Sequence, residues 1–275
     1  MGCLEYNSCM SSWLPEIDLG VTGPPVSMGV RKLGERPWLI SDDRRNLELA
    51  LKTELTGTHD REVFLTRPDT EKAASSVVSL IKKSGIELVG TGSHPLERAG
   101  LSVQEDLCLI KKADEGWQLE AASLCFPSRW RLDEKIGRNM AAVHGPVEGY
   151  KEVLEKKVTA FFDRLGPDPV WRRNWFVHPD DSLHQPDRPV GGDPIIPSSD
   201  VGEKLFVRSE RQTLRALDLP SWILFTIRVQ QTPLKNLIDA RGNELTNWLK
   251  EAPESHHRQK GLQAEQVSEI LDAIS

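Results

Sequence analysis

The sequence predicts an α+β domain built on an antiparallel sheet with flanking helices. Groups of strand-forming residues follow one another through the middle of the chain, whereas helical periodicity occurs mainly before and after them. Strands grouped apart from helices favour an antiparallel sheet over a doubly wound parallel one. The chain has no GxGxxG sequence after a strand and no GxxxxGK[ST] sequence, so neither a dinucleotide site nor a P-loop is expected.

The strand predictions rest on runs of β-branched, aromatic and alternating residues bounded by turn residues. Residues 103–112 and 117–126 form a predicted hairpin around the turn ADEG. Further strands are predicted at 170–177, 204–210 and 222–230. The Pro-, Gly- and Asp-rich loop at 179–202 is too long for a tight hairpin and is predicted to act as a lid.

Helices are predicted where apolar residues recur every three or four positions. Over 71–83, Ala74, Val77 and Ile81 share one face, and over 150–165 the apolar residues form one stripe. The other predicted helices cover 42–55, 210–217, 234–248 and 262–274.

The domain organisation follows from the change in composition near the N-terminus. Residues 1–27 are rich in Ser, Pro and Gly and show no period, which predicts a mobile N-terminal arm. Residues 28–275 are predicted to form a single domain, with its core at 90–237 and its C-terminal helices at 234–275.

Composition and charge exclude several classes of function. A net charge of -6 argues against nucleic acid as a partner, and no apolar run is long enough for a membrane helix. The N-terminus lacks the basic and apolar regions of a signal peptide, so the cytoplasm is the expected location. The four cysteines form no CxxC or CxxCH sequence, so neither an iron–sulfur cluster nor covalent c-type heme is expected.

His144 is the histidine whose surroundings best suit a ligand. It follows the apolar residues 141–143 and precedes Gly145-Pro146, a pair that favours a turn. A histidine held in this way is a suitable axial ligand for heme iron. The alternative is a buried histidine that only donates a hydrogen bond to a carbonyl.

Other candidate ligands have equally plain alternatives. His178 and His184 flank Asp180-Asp181, either as a metal cluster or as an ordered loop with capping aspartates. Cys125 is either a thiolate ligand or a small buried apolar residue. The remaining polar-segment histidines are predicted to be solvated: His59, His256 and His257.

The segment RSERQTLRAL concentrates arginine and glutamate. Arg208 and Arg211 suit bidentate binding of carboxylates, or they pair internally with Glu210. Arg228 lies within the apolar strand ILFTIRV, where its charge must be paired.

Six segments taken together resemble one known family. They are HPLERAGLSVQEDLCLI, LCFPSRWRLDEKIGR, AAVHGPVEGY, VWRRNWFVH, LFVRSERQTLRAL and ILFTIRVQQTPL, in this order over most of 90–237. In these segments the chain resembles the heme-binding alpha subunit of the heme-dependent oxidative N-demethylases.

The resemblance implies a PAS-like domain that binds heme b. It also implies oxidative N-demethylation of a small secondary amine, with O2 activated at the iron and the methyl group released as formaldehyde. Electrons are then expected from NADPH through separate flavin and iron–sulfur reductase subunits, which agrees with the missing nucleotide and cluster motifs.

The resemblance also assigns roles to residues at matching positions. His144 becomes the first choice of axial ligand, with Cys125 and His178 in reserve. The candidates for propionate contacts are Lys135, Arg208, Arg211 and Arg228. The candidates for holding an ammonium substrate or delivering a proton are Glu105, Asp106 and Glu210. Two alternatives stay open: a PAS-like heme sensor or carrier without turnover, and a relative that binds another ligand.

Overall fold

The computed structural model describes residues 12–21, 28–144 and 155–275. The helices are α1 (Arg45–Thr58), α2 (Asp60–Val63), α3 (Glu71–Lys83), α4 (Pro95–Gly100), α5 (Met140–Val143), α6 (Glu155–Phe162), α7 (Val201–Lys204), α8 (Leu234–Glu251), α9 (Glu254–Gln259) and α10 (Ala264–Ile274). The strands are β1 (Arg31–Lys32), β2 (Phe64–Thr66), β3 (Asp106–Ala113), β4 (Gly116–Ser123), β5 (Val170–His178), β6 (Phe206–Ala216) and β7 (Trp222–Pro233). The predicted helices at 42–55, 71–83, 234–248 and 262–274 are confirmed with small shifts of their ends. Helix α6 covers part of the helix predicted at 150–165, of which 150–154 lies outside the described residues.

The strands form one sheet in the order β1-β5-β6-β7-β3-β4-β2. Every neighbouring pair is antiparallel, and β3 and β4 form the predicted hairpin. Helices flank this sheet, so the predicted α+β class is confirmed. The PAS-like character of the fold stays a prediction.

The prediction of a short helix at 210–217 is wrong, because β6 continues as a strand to Ala216. Polar residues of this segment point alternately to the two faces of the sheet, so the pattern shows no apolar alternation. The positions from Glu210 to Leu214 also pair with both neighbouring strands; Arg211, for example, lies opposite Arg173 in β5 and Arg228 in β7. Pairing on both sides decides the conformation here, since strand preference depends strongly on context.

The two faces of the sheet are covered by different elements. On one face, Leu107 and Leu224 pack in a cluster with Ala74 and Val77 of α3, and we call it the α3 face. On the other, Cys108 and the side chains around it pack with Met140 and Val143 of α5. We call this second face the His144 face, because α5 ends directly before that residue.

The mobile arm predicted at 1–27 is wrong for residues 12–21, which pack on the α3 face. Trp13, Leu14 and Ile17 are buried against the C-terminal helices and the strand residue Trp175. Glu16 accepts two hydrogen bonds from the guanidinium of Arg173, at 2.9 and 2.8 Å. Apolar side chains and one ion pair therefore attach a segment whose composition suggests a free arm. Residues 1–11 and 22–27 lie outside the described ranges.

The polar segment near the C-terminus also folds more tightly than its composition suggests. It forms α9, and His257, predicted to be solvated, is buried with its ring 4.9 Å from that of Trp248. His59 is exposed, as predicted, at the end of α1. Within the described ranges, no helix is both long and apolar enough to cross a membrane.

Candidate functional site

Three half-buried polar side chains and one buried carboxylate lie on the His144 face of β5 and β6. Arg172 and Asn174 of β5 are opposite Gln212 and Glu210 of β6, respectively, so all four side chains project to the same face. Glu210 accepts a hydrogen bond from Gln212 Nε2 at 2.8 Å. Carboxylate, amide and guanidinium groups are therefore brought together beside α5 by the strand register alone.

His144 is placed by the short helix α5. Asn139 caps the start of this helix, since its Oδ1 accepts from the backbone N–H of Ala142 at 2.9 Å. At the other end, His144 Nδ1 lies 2.8 Å from the carbonyl oxygen of Met140. A carbonyl only accepts, so Nδ1 carries the proton and Nε2 carries the lone pair. The turn predicted at Gly145-Pro146 lies outside the described residues.

The electrostatic surroundings keep the imidazole of His144 neutral. Burial lowers its pKa, and the positive charges of Arg172 and Lys135 lower it further, against the hydrogen bond to Met140. A neutral imidazole with Nδ1–H held by a carbonyl is the form in which histidine commonly binds a metal through Nε2. The donor set at His144 therefore fits an axial ligand of heme iron.

The sequence did not indicate Lys260, which approaches the same polar group from the segment after α9. Its Nζ donates to Asn174 Oδ1 at 3.0 Å. Burial and the nearby Arg172 lower the pKa of Lys260 to about 8, although Asp18 and Glu210 oppose the shift. Burial also lowers the pKa of Arg172, which Glu210 partly restores. Glu210 thus acts electrostatically on both cations.

Arg208 also projects to the His144 face, but its guanidinium is occupied by backbone carbonyls and by the side chains of Ser128 and Gln231. Its Nη2 donates to Phe126, Pro127 and Leu183, and its Nη1 donates to Ser182. The side chain is fully buried. Arg208 therefore joins the loop after β4 to the loop at 179–202, and the lid function of that second loop stays a prediction.

Arg211 and Arg228 project to the α3 face, away from His144. Arg211 donates to the carbonyl of Pro37 at 2.6 Å. Arg228 forms ion pairs with Asp42 at 2.6 Å and Glu48 at 2.8 Å, as its position in an apolar strand predicts. Burial opposes the charge of Arg228, but Glu48 and Asp42 outweigh it and raise its pKa.

The alternative of an internal pair with Glu210 is not realised for either predicted arginine. The strand alternation places Arg211 and Glu210 on opposite faces of β6. Arg208 shares the face of Glu210, but its contacts are the carbonyls of two loops. Arg172 is not among the residues predicted from the sequence. It lies close enough to His144 to lower the pKa of that residue, so it is better placed than Arg208 or Arg211 for a propionate contact. Its signal is the pair of consecutive arginines in VWRRNWFV, which places one arginine on each face.

Glu105 and Asp106 lie at the start of β3, and both are buried among contacts within the fold. Asp106 accepts from the backbone N–H groups of Cys125 and Phe126 at 2.9 and 2.8 Å and pairs with Lys52 at 3.1 Å. Glu105 Oε1 accepts from the backbone N–H of Ile40 at 2.6 Å. Burial raises the pKa of Glu105. Of the three predicted carboxylates, Glu210 is the one that the structure groups with Arg172, Asn174 and Gln212.

The reserve ligands lie in closed surroundings. Burial raises the pKa of the Cys125 thiol to about 12. Burial and Arg129 lower the pKa of His178 to about 4, and its Nδ1 donates to Gln185 Oε1 at 2.9 Å. Among the residues that the structure describes, no group of three or more His, Cys, Asp or Glu side chains is arranged to hold a metal ion, so the predicted cluster of His178, His184 and the two aspartates is not formed.

Two comparisons with known proteins bear on the resemblance seen in the sequence: one with curated proteins and one with family models. The comparison with curated proteins gives no match. The model of the family described as haem-dependent oxidative N-demethylase, alpha subunit-like, matches residues 75–268, which include all the strands from β3 to β7 and His144. The chain therefore belongs to the family of haem-dependent oxidative N-demethylase, alpha subunit-like proteins.

Proposed function

We propose that this chain binds heme b through His144 and, with electrons from separate flavin and iron–sulfur subunits, demethylates a small secondary amine oxidatively. Membership of the family supports a heme-dependent oxidoreductase of the N-demethylase kind. The observation that carries the residue assignment is the hydrogen bond from His144 Nδ1 to Met140, which places the proton on Nδ1 and so makes Nε2 the nitrogen that would bind the iron.

Two cations support the binding of an anionic macrocycle beside His144. Lys135 and Arg172 both lie close enough to lower the pKa of His144. Burial lowers the pKa of both side chains and so disfavours their charged forms. A negatively charged heme propionate close to them would stabilise those charged forms. Of the four cations predicted for this role, Lys135 is retained, and Arg172 replaces the three arginines that are committed elsewhere.

Glu210 is the proposed binding partner of the amine. A secondary amine is protonated at neutral pH, and a cation that leaves water needs a carboxylate. Glu210 has only 6% of its surface exposed and accepts from Gln212, so its carboxylate is held in one position. Lys260 and Arg172 balance its charge before the substrate arrives.

The contacts described above suggest separate roles for the heme and for the protein side chains. Bound heme supplies the oxidative chemistry with O2, and the protein holds the imidazole ligand, orients the amine and limits the access of water. Glu210 is also positioned to take the proton that the ammonium group must lose before oxidation at its carbon. Lys260, with a pKa of about 8, can exchange a proton with solvent near neutral pH.

The proposal is tested by titrating the purified full chain with hemin and following the Soret band, then repeating the titration with His144→Ala. We expect a saturable band that shifts with CO after reduction, and at least about a tenfold loss of affinity in the variant. His256→Ala is the matched control, because His256 lies in α9, whereas His144 directly follows α5. An unchanged spectrum in His144→Ala would reject the ligand assignment.

Turnover is tested separately on the heme-loaded protein with a chemical or enzymatic electron donor. We expect release of formaldehyde that depends on a methylated secondary amine, with a raised KM in Glu210→Gln. A normal heme spectrum without amine-dependent formaldehyde would instead favour the sensor or carrier alternative.

A further inference from the structure

We propose that His59 and His184 form a second, separate site that binds a divalent cation of the Zn²⁺ type. His59 caps the C-terminal end of α1, and His184 lies in the loop at 179–202. Their ring centroids are 5.6 Å apart and their planes are tilted by 50°. His59 is exposed and His184 is half-buried, so the pair is accessible from solvent.

The ring spacing leaves room for one ion between the two imidazoles, although aromatic rings in direct contact have similar spacings. With a bond of about 2.0–2.1 Å from the ring nitrogen to zinc, each centroid lies roughly 3.2 Å from the metal, and two centroids at a tetrahedral angle are roughly 5.2 Å apart. A wider angle increases this separation toward about 6.4 Å. The observed 5.6 Å falls between these two values.

The protonation state of His184 is set by a backbone carbonyl. His184 Nδ1 lies 2.8 Å from the carbonyl oxygen of Cys125. Because a carbonyl accepts only, Nδ1 carries a proton, and Nε2 is the ring nitrogen that would bind a metal ion. A carbonyl acceptor on the other ring nitrogen is the usual support of a metal-binding histidine.

The protonation state of His59 follows from a chain of two hydrogen bonds. Thr58 Oγ1 donates its only proton to the carbonyl of Glu54 at 2.9 Å. Its contact with His59 Nδ1 at 2.7 Å must therefore be accepted by the hydroxyl oxygen. His59 thus also carries a proton on Nδ1, so Nε2 is the nitrogen that would bind a metal ion in both rings.

Imidazole pairs select a particular class of ion. Zn²⁺, Cu²⁺ and Ni²⁺ accept imidazole readily, whereas Mg²⁺ and Ca²⁺ require oxygen ligands. The described part of the chain offers no third His, Cys, Asp or Glu in a metal-binding arrangement, so solvent would complete the coordination. The proposed site is therefore a two-ligand site, and Zn²⁺ is the ion we assign to it.

A bound ion would connect α1 to the loop that Arg208 holds. Leu183, the residue before His184, accepts from Arg208 Nη2 at 2.9 Å. Gln185, the residue after it, accepts from the backbone N–H of Arg129 at 2.6 Å. Zinc binding would therefore restrain a loop already fixed at two neighbouring positions, and it does not depend on the heme proposal.

The experiment is a Zn²⁺ titration of the full, heme-free chain against a chromophoric zinc indicator. We expect saturable binding in the wild type, at least about tenfold weaker binding in His59→Ala and in His184→Ala, and unchanged binding in His256→Ala. Mg²⁺ should not compete. Thr58→Val removes the acceptor of the His59 proton and should weaken binding by a smaller factor.

Two results would overturn the site. The first is the absence of Zn²⁺ binding in the wild type. The second is equal Zn²⁺ affinity in wild type and His59→Ala, a variant that is expected to fold because His59 is exposed. Either result leaves the hemin titration unaffected, so failure of the zinc site and failure of the heme site are distinguishable.

Discussion

The two faces of β6 and β7 use charged residues in different ways. On the α3 face, Arg228 is 1% exposed and paired with Asp42 and Glu48. On the His144 face, Glu210 lies beside Arg172 and Asn174, which are half-buried. The same strands therefore carry one network of buried ion pairs, in which Arg228 Nε and Glu105 Oε2 have no hydrogen-bond partner among the described residues, and one polar group that borders a half-buried surface.

The difference indicates which charges serve the fold and which are suited to a ligand. The loss of one member of a buried ion pair leaves an uncompensated charge, so such a pair serves the fold. Polar groups at a half-buried surface can be reached by a ligand. Strongly perturbed groups are therefore informative about function only together with their partners.

The largest effect is expected from Arg228→Met. The substitution leaves Asp42 and Glu48 without their cation, so we expect the free energy of unfolding to fall by about 3–5 kcal/mol. Urea denaturation measures this change. Arg258→Ala, which removes an exposed pair with Glu254, serves as the control and should leave the transition midpoint nearly unchanged. A small loss for Arg228→Met would mean that the α3 face is not closed as described.

The next effect is a pH dependence at the border of the His144 face. The pKa of His178 is lowered from 6.5 to about 4, so the unfolded chain binds more protons between these values. Stability is thus fully present above pH 6.5 and decreases as the pH falls toward 4, by on the order of 3 kcal/mol.

Chemical denaturation at a series of pH values tests this dependence. His178→Gln should flatten the stability profile between pH 6.5 and 4, whereas His256→Gln should preserve it. An unchanged slope in His178→Gln would assign the acid sensitivity to other groups.

A smaller effect distinguishes two glutamates by face. Glu48→Gln weakens the contacts to Arg228 and Gln104, so we expect a loss of about 1–3 kcal/mol in unfolding free energy. Glu210→Gln should cost less than Glu48→Gln, because Glu210, although buried, forms no ion pair within 4 Å with any described residue and accepts its side-chain hydrogen bond from Gln212. Equal losses in the two variants would contradict the contrast between the faces.

The smallest effect on stability is expected from His144→Ala. His144 is half-buried, and its Nδ1 shares the carbonyl oxygen of Met140 with the backbone N–H of the same residue. We expect less than about 1 kcal/mol of change in the heme-free protein. Thermal unfolding without hemin measures the stability of the heme-free protein, and unfolding with hemin measures the stabilisation by the ligand. In His144→Ala we expect only the stabilisation by hemin to disappear. A large loss without hemin would make His144 a structural residue.

Local patterns predicted much of the fold. The stripe of apolar residues in α3 and the turn between β3 and β4 depend on neighbours in sequence, and both were predicted. The sequence predicts a helix over part of β6, because polar residues on both faces of this strand hide the apolar–polar alternation of a strand. The N-terminal residues 12–21 were read as mobile because their burial depends on Arg173 and the C-terminal helices.

For the candidate site, the sequence pointed to residue types more reliably than to roles. It predicted that the charge of Arg228 must be paired. It did not identify the partners, because Asp42 and Glu48 lie 186 and 180 positions away in the chain. Lys260 and Asn174 were missed for the same reason, since they are 86 positions apart and meet only in the folded chain.

The sequence by itself determined the class of the fold, the family, and His144 as a candidate ligand, because these depend on local periodicity and on the order of motifs. The tertiary structure alone decided which charged residues share a face with His144. Adjacent strand residues such as Glu210 and Arg211 point to opposite faces. The elements that cover each face come from distant parts of the chain, so only their packing separates a closed ion pair from a polar group at a half-buried surface.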